Sequence, residues 1–192
     1  MVKHRLEAFS DGVLAIIITI MVLELNVPHG SSLKDLAHLI PSFINYMLSF
    51  IYLAIYWNNH HHMFQIIKKI DGRVLLTNGL LLFWLSLVPF ATAWSGETHF
   101  AKIPVMLYGI ILLLAGFSYQ LLTQSLIALC ENEELSTAIN KDAKGKISIV
   151  LYAVALPICY VNQHISLVIY LLVAIMWIIP DKRIEKIFSQ TK

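Results

Sequence analysis

Two carboxylates, Asp11 and Glu24, stand within the first long apolar run of the chain, and three consecutive histidines, His60, His61 and His62, stand near the end of the second. Carboxylates and imidazoles held away from water can bind a metal, relay protons or serve as acid and base. Helical geometry argues against the metal. Adjacent side chains on a helix point about 100° apart, so three consecutive histidines cannot converge on one ion. Ligands on helices need the i, i+3 or i+4 spacing, and no second set of His, Cys or Glu repeats it. The two cysteines, Cys130 and Cys159, form no CxxC pair, and thiols at that separation give neither a metal cluster nor a disulfide framework. No metal and no cofactor is expected. A membrane enzyme would have to be built on one layer of acid and imidazole, Asp11 and His60, without a nucleophile beside it.

That layer follows from depth. At about 1.5 Å per residue, Asp11 lies roughly 9 Å from the start of its helix, and His60 about 12 Å from the end of the antiparallel second one. Trp57, His60 and Phe64 recur at helical spacing on one face. A hydrogen bond from Asp11 or Ser10 to His60 or to the indole of Trp57 would offset the burial of the carboxylate. An intramembrane carboxylate costs about 2.5–3.5 kcal/mol on insertion scales, and such groups face a bundle interior or a pathway.

The rest of the first run divides into two faces. Phe9, Gly12, Ile16, Thr19, Ile20 and Leu23 share one; Asp11, Leu14, Ile18 and Val22 take the other. The stripe Ile16, Thr19, Ile20, Leu23 has branched apolar groups, one hydroxyl and no charge. Ordinary helix packing explains it, and so does a narrow pore whose apolar rings close by dewetting. Asp11 points away from it and reads as an anchor within the subunit.

These residues need a membrane to make sense. The 192-residue chain is 58% hydrophobic and only 14% charged, with mean hydropathy +0.71, against about a quarter charged in soluble domains. A net charge of +2 without a basic, aromatic-interleaved stripe excludes nucleic acid as a partner. The expected fold is all-α: one polytopic unit over residues 1–192, with six transmembrane helices at about 5–27, 36–67, 74–95, 103–130, 147–161 and 165–180. Pro28 and Gly30 end the first helix, Pro104 opens the fourth, Pro89 and Pro157 can kink the third and fifth, and Asn162, Gln163 and His164 form the last outer turn. With both termini in the cytoplasm, inner segments hold twelve of the fourteen Lys and Arg residues, outer loops only Lys34 and Lys102. That is the positive-inside pattern of a multi-pass plasma-membrane protein. Glu24 and Asn26 occupy the place of a small-x-small cleavage site, so the first run reads as a span and not a leader.

Arg5, Phe9, Ser10, Asp11, Gly12 and Val13 write the pattern RxxxFSDGV, and Trp57, His60 and Phe64 write WxxHxxxF. Together with the six-span layout they resemble the endosomal and lysosomal potassium channel family, transmembrane protein one-seven-five, in its single-repeat prokaryotic branch. The resemblance implies a potassium-preferring cation channel that can also pass protons, assembled as a homotetramer around monovalent cations, with the lipid bilayer as its other partner. It implies that the first helix lines the pore, with Ile16 at a constriction, Thr19 as a hydroxyl-bearing selectivity layer, and Ile20 and Leu23 continuing the gate outward. It also implies that Arg5, Phe9, Ser10, Asp11, Trp57 and His60 tie that helix to its neighbours from behind. The chain carries no TVGYG-like loop and no acidic loop between spans, so selectivity by rows of backbone carbonyls is not available, and a modest preference for potassium over sodium is expected. The rival readings are a secondary transporter, which would show internal repeats and broken midplane helices, the membrane enzyme above, and a structural membrane protein, for which Gly109 and Gly116 would serve close helix packing.

Overall fold

Proline and chain-end chemistry decide where each helix stops. In the computed structural model, which describes residues 3–65, 67, 69–130 and 143–178, the helices are α1 (Lys3–Leu23), α2 (Leu33–Ala37), α3 (Ile40–Gln65), α4 (Gly72–Ser86), α5 (Val88–Glu97), α6 (Lys102–Ile127), α7 (Ala143–Val161) and α8 (Gln163–Ile178). No strand occurs among the described residues. The fold is all-α. Five helical stretches are long and apolar enough to cross a membrane, with α4 and α5 counted as one, and α8 is a shorter apolar helix.

The first helix stops at Leu23, four residues before the expected end. Val27 precedes Pro28, which biases it away from helical backbone, and Asn26 reaches across to donate to Glu97 at 3.0 Å. The expected second helix is two. Pro41 has no N–H, and its ring opposes the carbonyl of Ala37, where α2 ends. The short α2 carries its own start signal: the Ser32 hydroxyl accepts from the Asp35 amide while the Asp35 carboxylate accepts from the Ser32 amide. The Ser32 hydroxyl, donating to the carboxylate at 2.6 Å, and then the Ser32 amide hold the Asp35 carboxyl below its ordinary range. In the third span Pro89 interrupts the ladder, and the break falls at Leu87. Pro157, by contrast, stays inside a continuous α7.

Two turns are tight. Between α5 and α6, His99 and Phe100 adopt φ of 49° and 61°, and the Phe100 amide donates back to the Ser95 carbonyl at 2.8 Å, the closure glycine usually provides. Between α7 and α8 only Asn162 is non-helical, and its side chain accepts from the His164 amide at 2.9 Å. The end of the expected sixth helix beyond 178 lies outside the described residues, as do Lys68, Lys141, Lys182, Arg183, Lys186 and Lys192.

The helix α6 is central, packing on α4, α5, α7 and α8. Around it the core mixes aliphatic side chains with hydroxyls that bond each other. Ser49 pairs with Thr92 at 2.7 Å and Tyr108 at 2.9 Å, Tyr152 donates to Tyr52, and Tyr52 to the Tyr170 carbonyl. Without water in the bilayer such groups must find partners inside. At the outer end Lys102 donates to the Tyr160 carbonyl at 2.7 Å and lies over its ring.

The two glycines of α6 differ. A Cβ on Gly109 would overlap the Tyr170 hydroxyl of α8 and crowd Leu156, whereas one on Gly116 would meet its neighbours at an ordinary 3.8 Å. Gly109→Ala is therefore expected to overpack the core by about 1–3 kcal/mol and lower the melting temperature in detergent, while Gly116→Ala leaves it close to unchanged. Equal melting temperatures for the two variants would contradict this packing.

Candidate functional site

One narrow face attaches α1 to the rest of the chain. Leu6, Ser10, Leu14, Ile17 and Met21 are buried, against α3, α4 and α5. The stripe picked out by its spacing lies outside that contact: Ile16 is 60% exposed, Ile20 43% and Leu23 76%, with Thr19 and Phe9 exposed beside them. Among the described residues nothing covers it, so packing between them does not explain the stripe. Thr19 donates its hydroxyl proton to the Ala15 carbonyl at 2.8 Å. Its oxygen keeps lone pairs with which to accept from another group.

The anchors separate into two systems. Buried Ser10 donates to the Leu6 carbonyl at 2.9 Å and accepts from the Asn78 amide of α4 at 3.0 Å. Asn78 in turn bonds His60 Nε2 through its carbonyl oxygen at 2.7 Å. The roles are forced. Ser10 has spent its only proton on Leu6, so Asn78 turns its NH2 toward Ser10, its oxygen accepts, and His60 carries its proton on Nε2. The imidazole stacks on Phe64 with centroids 4.4 Å apart. The second system is exposed: the Trp57 indole donates to Asp11 at 3.0 Å, His61 stacks on Trp57, and the Gln65 amide bonds His61 at 2.9 Å.

Asp11 thus finds the indole and not His60, and Ser10 reaches His60 only through Asn78. Asp11 is exposed and not buried within the subunit, which corrects the expected anchor: the carboxylate sits on the surface of one copy, bridging α1 to α3. Arg5 and Phe9 are exposed and join neither system. Asn78 is the residue that sequence reasoning missed, although it is an amide in an apolar helix five residues past the basic Arg73. Among the described residues no three of His, Cys, Asp and Glu gather to hold a metal.

Beside the stripe, α1 and α4–α5 enclose an open groove of about 740 Å³, walled by Ile16, Ile17, Ile20, Pro89, Phe90 and Trp94, with Glu24 and Glu97 also lining it.

Comparison with known proteins decides the family. The chain is 53% identical over 188 residues to a potassium channel of Chryseobacterium sp. (strain P1-3), covering 97% of both chains. The chain belongs to the TMEM175 family. The family model for the endosomal/lysosomal potassium channel TMEM175 matches residues 5–89, which hold α1, both anchor systems and the break at Leu87. The crystal structure of a lysosomal potassium-selective channel TMEM175 homolog from Chamaesiphon minutus superposes with a TM-score of 0.83 at 30% identity, covering 91% of this chain and 95% of that one. The endosomal/lysosomal proton channel TMEM175 of Gallus gallus is 35% identical over 107 residues, half of this chain and 21% of its own length. TMEM175 proteins are channels and not enzymes, and this one is a multi-pass membrane protein.

Asn78 bonds two buried groups, Ser10 at 0% and His60 at 2% exposure, and is the partner of the His60 Nε2. Asn78→Ala is expected to destabilise the fold by about 1–3 kcal/mol for the stranded His60 Nε2, read as a lower melting temperature. Asn59, which bonds only the Ile55 carbonyl of its own helix, serves as the control: Asn59→Ala should move the transition far less, and the reverse order would remove Asn78 from the anchor.

Proposed function

We propose that this protein is a potassium-preferring cation channel of the plasma membrane, in which the α1 helices of four copies line a central pore. The single observation that carries the reading is the uncovered stripe of α1. Three branched apolar side chains and one hydroxyl stand at helical spacing on a helix whose larger part is exposed on its own subunit. Four such helices around an axis give apolar rings at Ile16, Ile20 and Leu23 that close by dewetting, with Thr19 supplying the one layer of oxygen ligands between them. The basic residues of the sequence favour cytoplasmic termini and six crossings. The names of the relatives agree with potassium as a permeant, and the proton channels among them favour passage of protons as well.

Selectivity in this reading is modest. The carbonyls of a regular α1 bond their own helix, so only side chains meet the ion, and one hydroxyl per subunit replaces a small part of a hydration shell. A secondary transporter would show saturable, coupled flux in place of ohmic current.

The test is current in planar bilayers and flux in vesicles under a potassium gradient. Ohmic potassium current is expected, and Thr19→Ala should shift the reversal potential toward equal permeability for potassium and sodium. An unshifted potential would take Thr19 out of the selectivity layer. Ile16→Asn or Leu23→Asn should raise conductance several-fold by wetting the constriction, and unchanged current in both would leave the stripe without a gating role.

A further inference from the structure

A ring of four copies brings one surface of each subunit against a different surface of the next, so each must carry two unlike, complementary faces. The structure has such faces on either side of the α1 stripe. On one flank is the groove between α1 and α4–α5, apolar through Ile17, Ile20, Phe90 and Trp94, with Glu24 and Glu97 at its outer end. On the other is a row along α3, Ile40, Phe43, Met47 and Phe50, spaced by alternate steps of three and four and 42–53% exposed. That spacing makes a seam of knobs for a neighbouring surface.

Lipid cannot cover the row's flank as a whole. Its inner half is polar: Asp11, Trp57, Asn58, His61, His62 and Gln65 are all exposed there, and hydrocarbon offers such groups no partner. The levels match. Asn45 and Ser49, on the buried side of α3, bond Thr92 of α5 at 2.8 and 2.7 Å, which sets Phe43–Phe50 beside Phe90–Trp94 in height. Rotation about an axis normal to the membrane preserves that height. The charges match too, since Lys34 of α2, which precedes the row, is exposed at the same outer end as the two carboxylates.

We propose that the α3 row of each copy seats in the α1–α5 groove of the next, head to tail around the ring, with Lys34 facing the neighbour's Glu24 and Glu97. The inference rests on the four-copy channel reading and adds to it the surfaces that close the pore. Each groove is then filled by a second copy of this chain, and the edge of every pore helix is supported by the adjacent subunit.

The experiment is oxidation by copper phenanthroline of the full chain in membranes, with Met47→Cys and Phe90→Cys combined, and separately Phe43→Cys with Trp94→Cys. A ladder of dimer, trimer and tetramer on denaturing gels is expected from at least one double variant, and none from the single variants. Cross-linking by a single variant alone would show like faces meeting and overturn the proposal. Mass measurement of the native complex separates the two levels of failure. A tetramer without a ladder in either pair discards this interface and keeps the channel reading, whereas a monomer without current discards both. Lys34→Glu should reduce the tetramer fraction, and adding Glu97→Lys should restore it. Absence of that rescue removes the charge pairing.

Discussion

The helix α1 is held to the rest of the chain through five buried side chains and two polar ties near its inner end. Everything else about the subunit takes its shape from how little of α1 that contact covers. An apolar helix in a bilayer can leave most of its surface to lipid, but α1 carries the Thr19 hydroxyl and the indole-bonded carboxylate of Asp11 on the uncovered part. Hydrocarbon offers their remaining lone pairs no partner, which favours water or protein beside that face and beside the apolar residues that share it. The same constraint orders the core, where Ser49, Thr92 and Tyr108 bond each other across α3, α5 and α6.

This attachment limits what the pore chemistry can be. Since α1 is an unbroken helix from Lys3 to Leu23, its mid-helix carbonyls are occupied by its own amides. In the proposed pore an ion would meet side chains alone, and the only side-chain oxygen on the stripe is that of Thr19, already oriented by its bond to Ala15. An acceptor held in one orientation by its own backbone presents lone pairs without reorganising. One such layer among apolar rings would favour an ion that sheds water readily and would discriminate weakly.

Much of this was legible in the sequence, and the parts that were not have specific physical reasons. The apolar runs gave the helices, and the 100° projection gave the stripe, because both depend on local periodicity. The splits at Pro41 and Leu87 were less legible. A proline within an apolar run can end a helix, as at α2, or be absorbed, as Pro157 is in α7, and tertiary contacts decide. The Ser10–Asn78–His60 chain joins residues 68 and 18 positions apart in sequence. Motif reading found its two ends and not its centre, since Asn78 looks like an incidental polar residue until α4 is brought beside α1. A charge in a span suggests burial, yet Asp11 lies on the surface of a single copy and is held there by the Trp57 indole of α3, a tertiary contact that local periodicity does not report.

The two anchors also fix how α1 can move. Turning the helix about its own axis by one residue, about 100°, would carry Ser10 away from Asn78 and Asp11 away from Trp57. It would leave the buried Asn78 amide group without its acceptor, at a cost of about 1–3 kcal/mol. The outer tie from Asn26 to Glu97 resists the same rotation at the other end. Tilting or translating α1 together with α3, α4 and α5 breaks none of these bonds. In the proposed four-copy pore, a low-cost change of width would therefore move the stripe as part of the subunit body, with Ile16, Ile20 and Leu23 facing the axis throughout, and the gate would be set by how far the subunits stand apart.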